Sequence, residues 1–162
     1  MKEEAIILTS GKFDSHNAKT AFGLVRKSEH YDILAVIDQN TAGKDAGELV
    51  EGRVVGIPVH ASIKDFLRSQ SSKHNKSLEE CGIGVYAIIG IATAGGVIPD
   101  DLRLELLEAL SYGMHIVNGL HHYLSDDKEI VKTAKQNHAE LLDIRKPKSA
   151  RDNTFWTGGI LN

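Results

Sequence analysis

The stretch GLHHYLSDD, residues 119–127, places His121 and His122 shortly before Ser125, Asp126 and Asp127. Imidazoles and carboxylates that close together could ligate a metal ion or exchange protons with a substrate. Zinc needs three or four convergent ligands, and adjacent residues of an extended segment point to opposite faces, so His121 and His122 do not readily share an ion. The chain has no histidine pair at H-x-x-x-H spacing, and its single cysteine, Cys81, excludes both a cysteine cage and an internal disulfide. No metal site is expected. Ser125, Asp126 and Asp127 read instead as the N-cap and first turn of a helix, where negative charge favours the helix dipole. Glu129 would complete a capping box from Asp126. His121 is left as the candidate catalytic residue, a general acid or base or an orienting hydrogen-bond donor, with Asn118 beside it. The competing reading of His121 is a packed or solvent-facing side chain.

These side chains need a scaffold. Short apolar runs at 5–9 (AIILT), 32–38 (DILAVID), 57–61 (IPVHA), 85–92 (VYAIIGIA), 115–120 (HIVNGL) and 141–145 (LLDIR) read as strands. DILAVID is apolar nearly throughout, as a strand buried on both faces should be. Helical spacing of Ala18, Ala21, Phe22 and Val25 follows Ser15 as a plausible N-cap. Ser62 with Asp65 forms a capping-box-like helix start. Residues 102–112 form a helix with Asp100 or Asp101 as cap and Gly113 as stop, and a further helix runs from about 126 to 138. The polar stretch 68–80 extends a helix or loops out. Alternation of this kind predicts an α/β domain: a Rossmann-like, doubly wound, mostly parallel sheet with helices on both faces.

In such a sheet ligands bind outside the carboxyl ends of the strands. Four loops lie there. In the first, residues 10–20, the candidate ligand contacts are Gly11, Asp14, Asn17 and Lys19; it matches neither G-x-G-x-x-G nor a Walker A loop, but a helix N-terminus still offers N–H groups to an anion. The competing reading is a plain capped turn. Asp38 ends the second strand, where a Rossmann domain places the acid that holds a ribose hydroxyl; the alternative is a solvated turn aspartate. In the third loop, Gly95 and Gly96 let the backbone approach a ligand, unless they serve only a flexible connection. The fourth loop carries Asn118 and His121.

The bulk numbers suit one globular domain. The chain has 162 residues, 41% hydrophobic and 25% charged. A net charge of −3 argues against a nucleic-acid partner, and no apolar run approaches bilayer length, so neither nucleic acid nor membrane is expected and a cytoplasmic location is. Residues 148–162 carry Phe155, Trp156, Ile160 and Leu161 without periodicity. Such an apolar tail is expected to pack on a partner, favouring a homo-oligomer, or to lead into another domain; the alternative is that it folds back on its own sheet.

Five strings taken in order, GKFDSHNAKTAFGLVR, VIDQNTAGKDAGE, AGGVIPDDLR, VNGLHHYLSDDKEI and DIRKP, resemble the amino-terminal domain of a two-domain bacterial and archaeal family. That family was long a domain of unknown function, loosely labelled NAD-dependent epimerase/dehydratase, and some members are described as D-glutamate N-acetyltransferases. The resemblance runs from about Ala5 to Pro147. It implies a Rossmann-like domain over 1–147, then 148–162 as a linker toward a larger P-loop-like domain whose G-T-D-C-x-x-G-K-type loop this sequence lacks. It further implies one half of an N-acyltransferase site for a small-molecule amino acid, with acetyl-CoA or a nucleotide as candidate cofactors. The resemblance assigns no residues; by loop placement His121 would be the base or orienting group, Gly95 and Gly96 would present N–H groups, and Lys19 or Arg145 would pair with a substrate carboxylate. The rival reading is a module that binds a nucleotide or NAD(P), or an oligomerisation scaffold, without catalysis of its own. The absent glycine fingerprint weakens a plain dehydrogenase.

Overall fold

The computed structural model describes residues 1–147; the apolar tail expected over 148–162 lies outside the described residues. Among the described residues six strands form one sheet: β1 (Glu3–Leu8), β2 (Tyr31–Ile37), β3 (Val59–His60), β4 (Tyr86–Ile89), β5 (His115–Asn118) and β6 (Leu141–Asp143). Every neighbouring pair is parallel, in the order β3-β2-β1-β4-β5-β6. Parallel strands bury both faces, which is why Ile6, Ile7, Leu8, Val36 and Ile37 run without a polar interruption. This is the order of dinucleotide-binding domains, and its direction reverses between β1 and β4.

The connections are α1 (Lys19–Arg26), α2 (Ala46–Glu51), α3 (Ile63–His74), α4 (Leu78–Gly82), α5 (Asp100–Ser111) and α6 (Lys128–Gln136). Right-handed crossovers put α1 and α2 on one face, where they pack together, and α3 to α6 on the other. Leu102, Leu106, Ala109 and Leu110 recur at helical spacing along α5 and are buried against that second face. No helix among the described residues is long and apolar enough to cross a membrane.

Several local expectations change. A 3-10 turn, His16–Ala18, precedes α1, and Ser15 caps that turn through Asn17 N–H. The helix α2 was not legible in sequence; Asp45 builds it by accepting from Gly47 and Glu48, and also holds Val55 and Gly56. The polar 68–80 stretch divides into the end of α3 and α4, the latter opened by a capping box between Ser77 and Glu80. The N-cap of α5 is Pro99, with Asp100 and Asp101 inside the first turn. At α6 the cap is Asp127, not Asp126, because a 3-10 turn occupies Leu124–Asp126. Glu129 makes no capping box there: its carboxylate pairs with Arg103 at 2.6 Å.

Candidate functional site

The crevice outside the carboxyl ends of β1 and β4 is drawn together by Gly90. Its N–H donates to Leu8 O at 2.9 Å, and its carbonyl accepts Ala21 N–H from α1 at 3.0 Å. A Cβ there would stand 2.4 Å from Ile7 Cγ2 and 3.0 Å from Ala21 Cβ, so only glycine lets α1 lie this close to the sheet. The sequence signal was available: Gly90 interrupts a run of buried aliphatic residues. Ala92 N–H then donates to Asn17 O at 2.7 Å, tying the third loop to the first.

Asp38 is turned into the fold. It is 1% exposed, and its two oxygens accept from the Thr9 and Thr41 hydroxyls at 2.7 and 2.5 Å and from Phe13 and Thr41 N–H, both at 3.0 Å. Four donors fill the lone-pair sites of a carboxylate, leaving no acceptor for a ribose hydroxyl. The residue instead clamps the first loop over the buried Phe13 ring. Gly11 belongs to the same clamp, its carbonyl accepting from the Asn40 amide at 2.7 Å. Asp14 and Lys19 are exposed and form no ion pair among the described residues.

A matching clamp stands at the other end of the sheet. Asn118 is fully buried and donates its two amide hydrogens to His122 O at 2.9 Å and Asp143 Oδ1 at 2.8 Å, while its own Oδ1 accepts Leu120 N–H at 3.0 Å. Asp143 also accepts Leu124 N–H at 2.8 Å and Ser125 N–H at 3.1 Å. Asn118 therefore has no donor to spare for a ligand and shapes the histidine loop from within. Asp143 was missed in sequence; like Asp38, it is an acid at the end of an apolar strand.

His121 stands in the remaining space. Gly96, at φ 69°, packs so closely that an added Cβ would meet His121 Cβ at 2.8 Å, and His122 N–H donates to Gly96 O at 3.1 Å. The Gly96 N–H is already given to Thr93 O at 3.0 Å, so it is not free to hold an oxyanion. A cleft of about 560 Å³ opens here, with Ile88, Val117 and Ile144 as apolar lining and Thr93, His121 and Arg145 as polar lining. The expected residues Gly96, His121 and Arg145 thus converge on one cleft, whereas Gly11, Asp14, Asn17, Lys19, Asp38, Gly95 and Asn118 do not line it. A larger hollow of about 660 Å³, beside Asp32, Lys44 and Lys73, contains none of the expected residues. In α5, burial pushes the Glu105 carboxyl up to about 7, helped by Glu108, Asp101 and Asp38. No group of three metal-ligating side chains occurs among the described residues.

Residues 39–147 match the family described as a domain of unknown function (DUF1611_N), Rossmann-like domain. A crystal structure of a DUF1611 family protein from Anabaena variabilis ATCC 29413 has the same fold at TM-score 0.71 and 31% identity, covering 93% of this chain and 41% of that one. A D-glutamate N-acetyltransferase from Pseudoalteromonas sp is 38% identical over 63 residues, 39% of this chain and 19% of the relative. Another, from Tritonibacter scottomollicae, is 33% identical over 60 residues, 37% of this chain and 18% of the relative. The matched stretches cover about a fifth of each acetyltransferase, and the chain spans less than half of the Anabaena protein. With its parallel sheet in the order 3-2-1-4-5-6 and a family match over most of its length, this chain belongs to the DUF1611 family as its amino-terminal Rossmann-like domain.

Proposed function

We propose that this domain supplies one side of the ligand site of an N-acetyltransferase acting on D-glutamate or a similar amino acid, with a P-loop-like second domain completing the site. The observation that carries the reading is the position of His121, wedged against Gly96 in a cleft at the carboxyl edge of the sheet. In that reaction the imidazole removes a proton from the substrate ammonium. The freed amine attacks the acetyl carbonyl of a thioester donor such as acetyl-CoA, the C–N bond forms, the C–S bond breaks, the departing thiolate takes up the proton carried by the imidazole, and the nitrogen loses its second proton to solvent as the amide forms. The names of the two partial relatives support the chemistry. The test is His121→Ala in the intact two-domain protein: kcat/KM for D-glutamate should fall by about 10²–10⁴-fold, the usual contribution of a general base. Unchanged kcat/KM would remove His121 from the mechanism.

A second reading, a nucleotide-binding module without catalysis, is favoured by the strand order alone. Calorimetry of this chain with NAD, NADP, ATP and acetyl-CoA separates the two. Tight dinucleotide binding supports the module, and silence with all four supports a site split between domains.

A further inference from the structure

Of the five arginines among the described residues, four are matched to carboxylates. Arg26 and Arg53 share Glu51 at 3.7 and 3.1 Å, Arg68 faces Asp65 at 3.4 Å, and Arg103 lies between Asp127 at 3.1 Å and Glu129 at 2.6 Å. Arg145 has no carboxylate partner among the described residues, yet its side chain is not loose. Its Nε–H donates to Gly119 O at 2.5 Å, which anchors the guanidinium to the histidine loop. Its terminal nitrogens make no hydrogen bond among the described residues, and those nitrogens are the part of the fork that can engage a planar anion.

The surroundings decide which anion. No aspartate or glutamate lines the cleft that Arg145 shares with His121. The rest of the lining is mainly aliphatic, and Ile144 is 51% exposed there, so the cleft suits an anionic group on a short methylene chain. A phosphate would want several backbone N–H groups, and of the two glycines in the lining, Gly96 has already given its own to Thr93. Lys19, the other cation expected to meet a substrate, is not in the lining.

We infer that the cleft is a carboxylate site, that Arg145 anchors the carboxylate, and that the chain of a small dicarboxylate lies along Ile88, Val117 and Ile144. This rests on taking the carboxyl-edge cleft as the ligand site, but not on acetyl transfer. It is tested on this chain by NMR titration with glutarate, its uncharged counterpart glutaramide and inorganic phosphate, for the wild type, Arg145→Ala and Arg145→Lys. Glutarate should shift signals of His121 and Ile144, glutaramide should bind at least about ten-fold more weakly, and phosphate should not compete. Arg145→Ala should weaken glutarate by about ten-fold or more, the worth of a charged hydrogen-bond pair, and Arg145→Lys should restore only part of it. The side chain is exposed, so both variants should keep the wild-type melting temperature. Equal binding of glutarate and glutaramide, competition by phosphate, unchanged affinity in Arg145→Ala, or no glutarate binding at all overturns the inference. Glutarate binding without acetyl transfer by the intact protein would sink the acetyltransferase reading alone; transfer that depends on His121 but not Arg145 would sink the carboxylate site alone.

Discussion

Asn118 and Asp143 face each other in register across β5 and β6, and the amide of the first donates to the carboxylate of the second at 2.8 Å in a fully buried setting. The same device recurs across β1 and β2, where Thr9 donates to Asp38 at 2.7 Å. Each acid stands at the carboxyl end of an apolar strand and gathers the N–H groups of loops at that edge. The two clamps flank the switch point and hold the loops that make the crevice.

Asp143→Ala should therefore destabilise the domain by about 2–4 kcal/mol, since it strands the Asn118 amide and the N–H groups of Leu124 and Ser125. Urea unfolding measures it. A loss below about 0.5 kcal/mol, ordinary for a surface change, would mean that water replaces the clamp without penalty.

Asp38→Asn is nearly isosteric, yet one of its two donor pairs would then meet an NH₂ group instead of an acceptor. The expected cost is again about 2–4 kcal/mol, with affinity for any nucleotide unaffected in proportion to stability, because no oxygen of Asp38 is free. A selective loss of NAD affinity with stability retained would return Asp38 to the ligand.

Much of the fold was legible because parallel strands buried on both faces must be apolar runs, and DILAVID and VYAIIGIA are such runs. Helix boundaries were less so. Asp127, rather than Asp126, caps α6 because Leu124 is drawn in by Asp143, a contact 19 residues away that no local pattern encodes. The site divided along the same line. His121, Gly96 and Arg145 could be placed at one edge by strand ends alone, whereas the inward turn of Asp38 and Asn118 depends on partners from neighbouring strands. A carboxylate at a strand end looks the same in sequence whether it holds a ribose or its own loop.

Gly96→Ala tests the join between the third and fourth loops. The new methyl would meet His121 Cβ at 2.8 Å, and φ 69° is costly for any residue with a Cβ. Stability should drop by roughly 1–3 kcal/mol, and the His121 resonances should move even where the domain remains folded. Unmoved resonances would show that the loops are not mechanically joined through Gly96.

Glu105 should make the stability of the domain fall as pH rises. Its Oε1 is buried without a hydrogen-bond partner, and burial, followed by Glu108, Asp101 and Asp38, raises its carboxyl from 4.5 to about 7. A carboxyl raised on folding binds its proton more tightly in the folded chain, so its contribution is complete below about pH 4.5 and is lost as pH climbs through about 7. The loss amounts to roughly 3 kcal/mol at most, by the proportionality between pKa and free energy. Glu140, raised by burial and by Glu3, adds a slope of the same sign, so the informative quantity is the difference between wild type and Glu105→Gln. The variant should be more stable than the wild type at pH 8, and that advantage should shrink towards pH 5, read as the separation of urea midpoints. If the two curves stay parallel from pH 5 to pH 8, Glu105 is not the group that titrates, and its buried oxygen must find a partner in the folded protein.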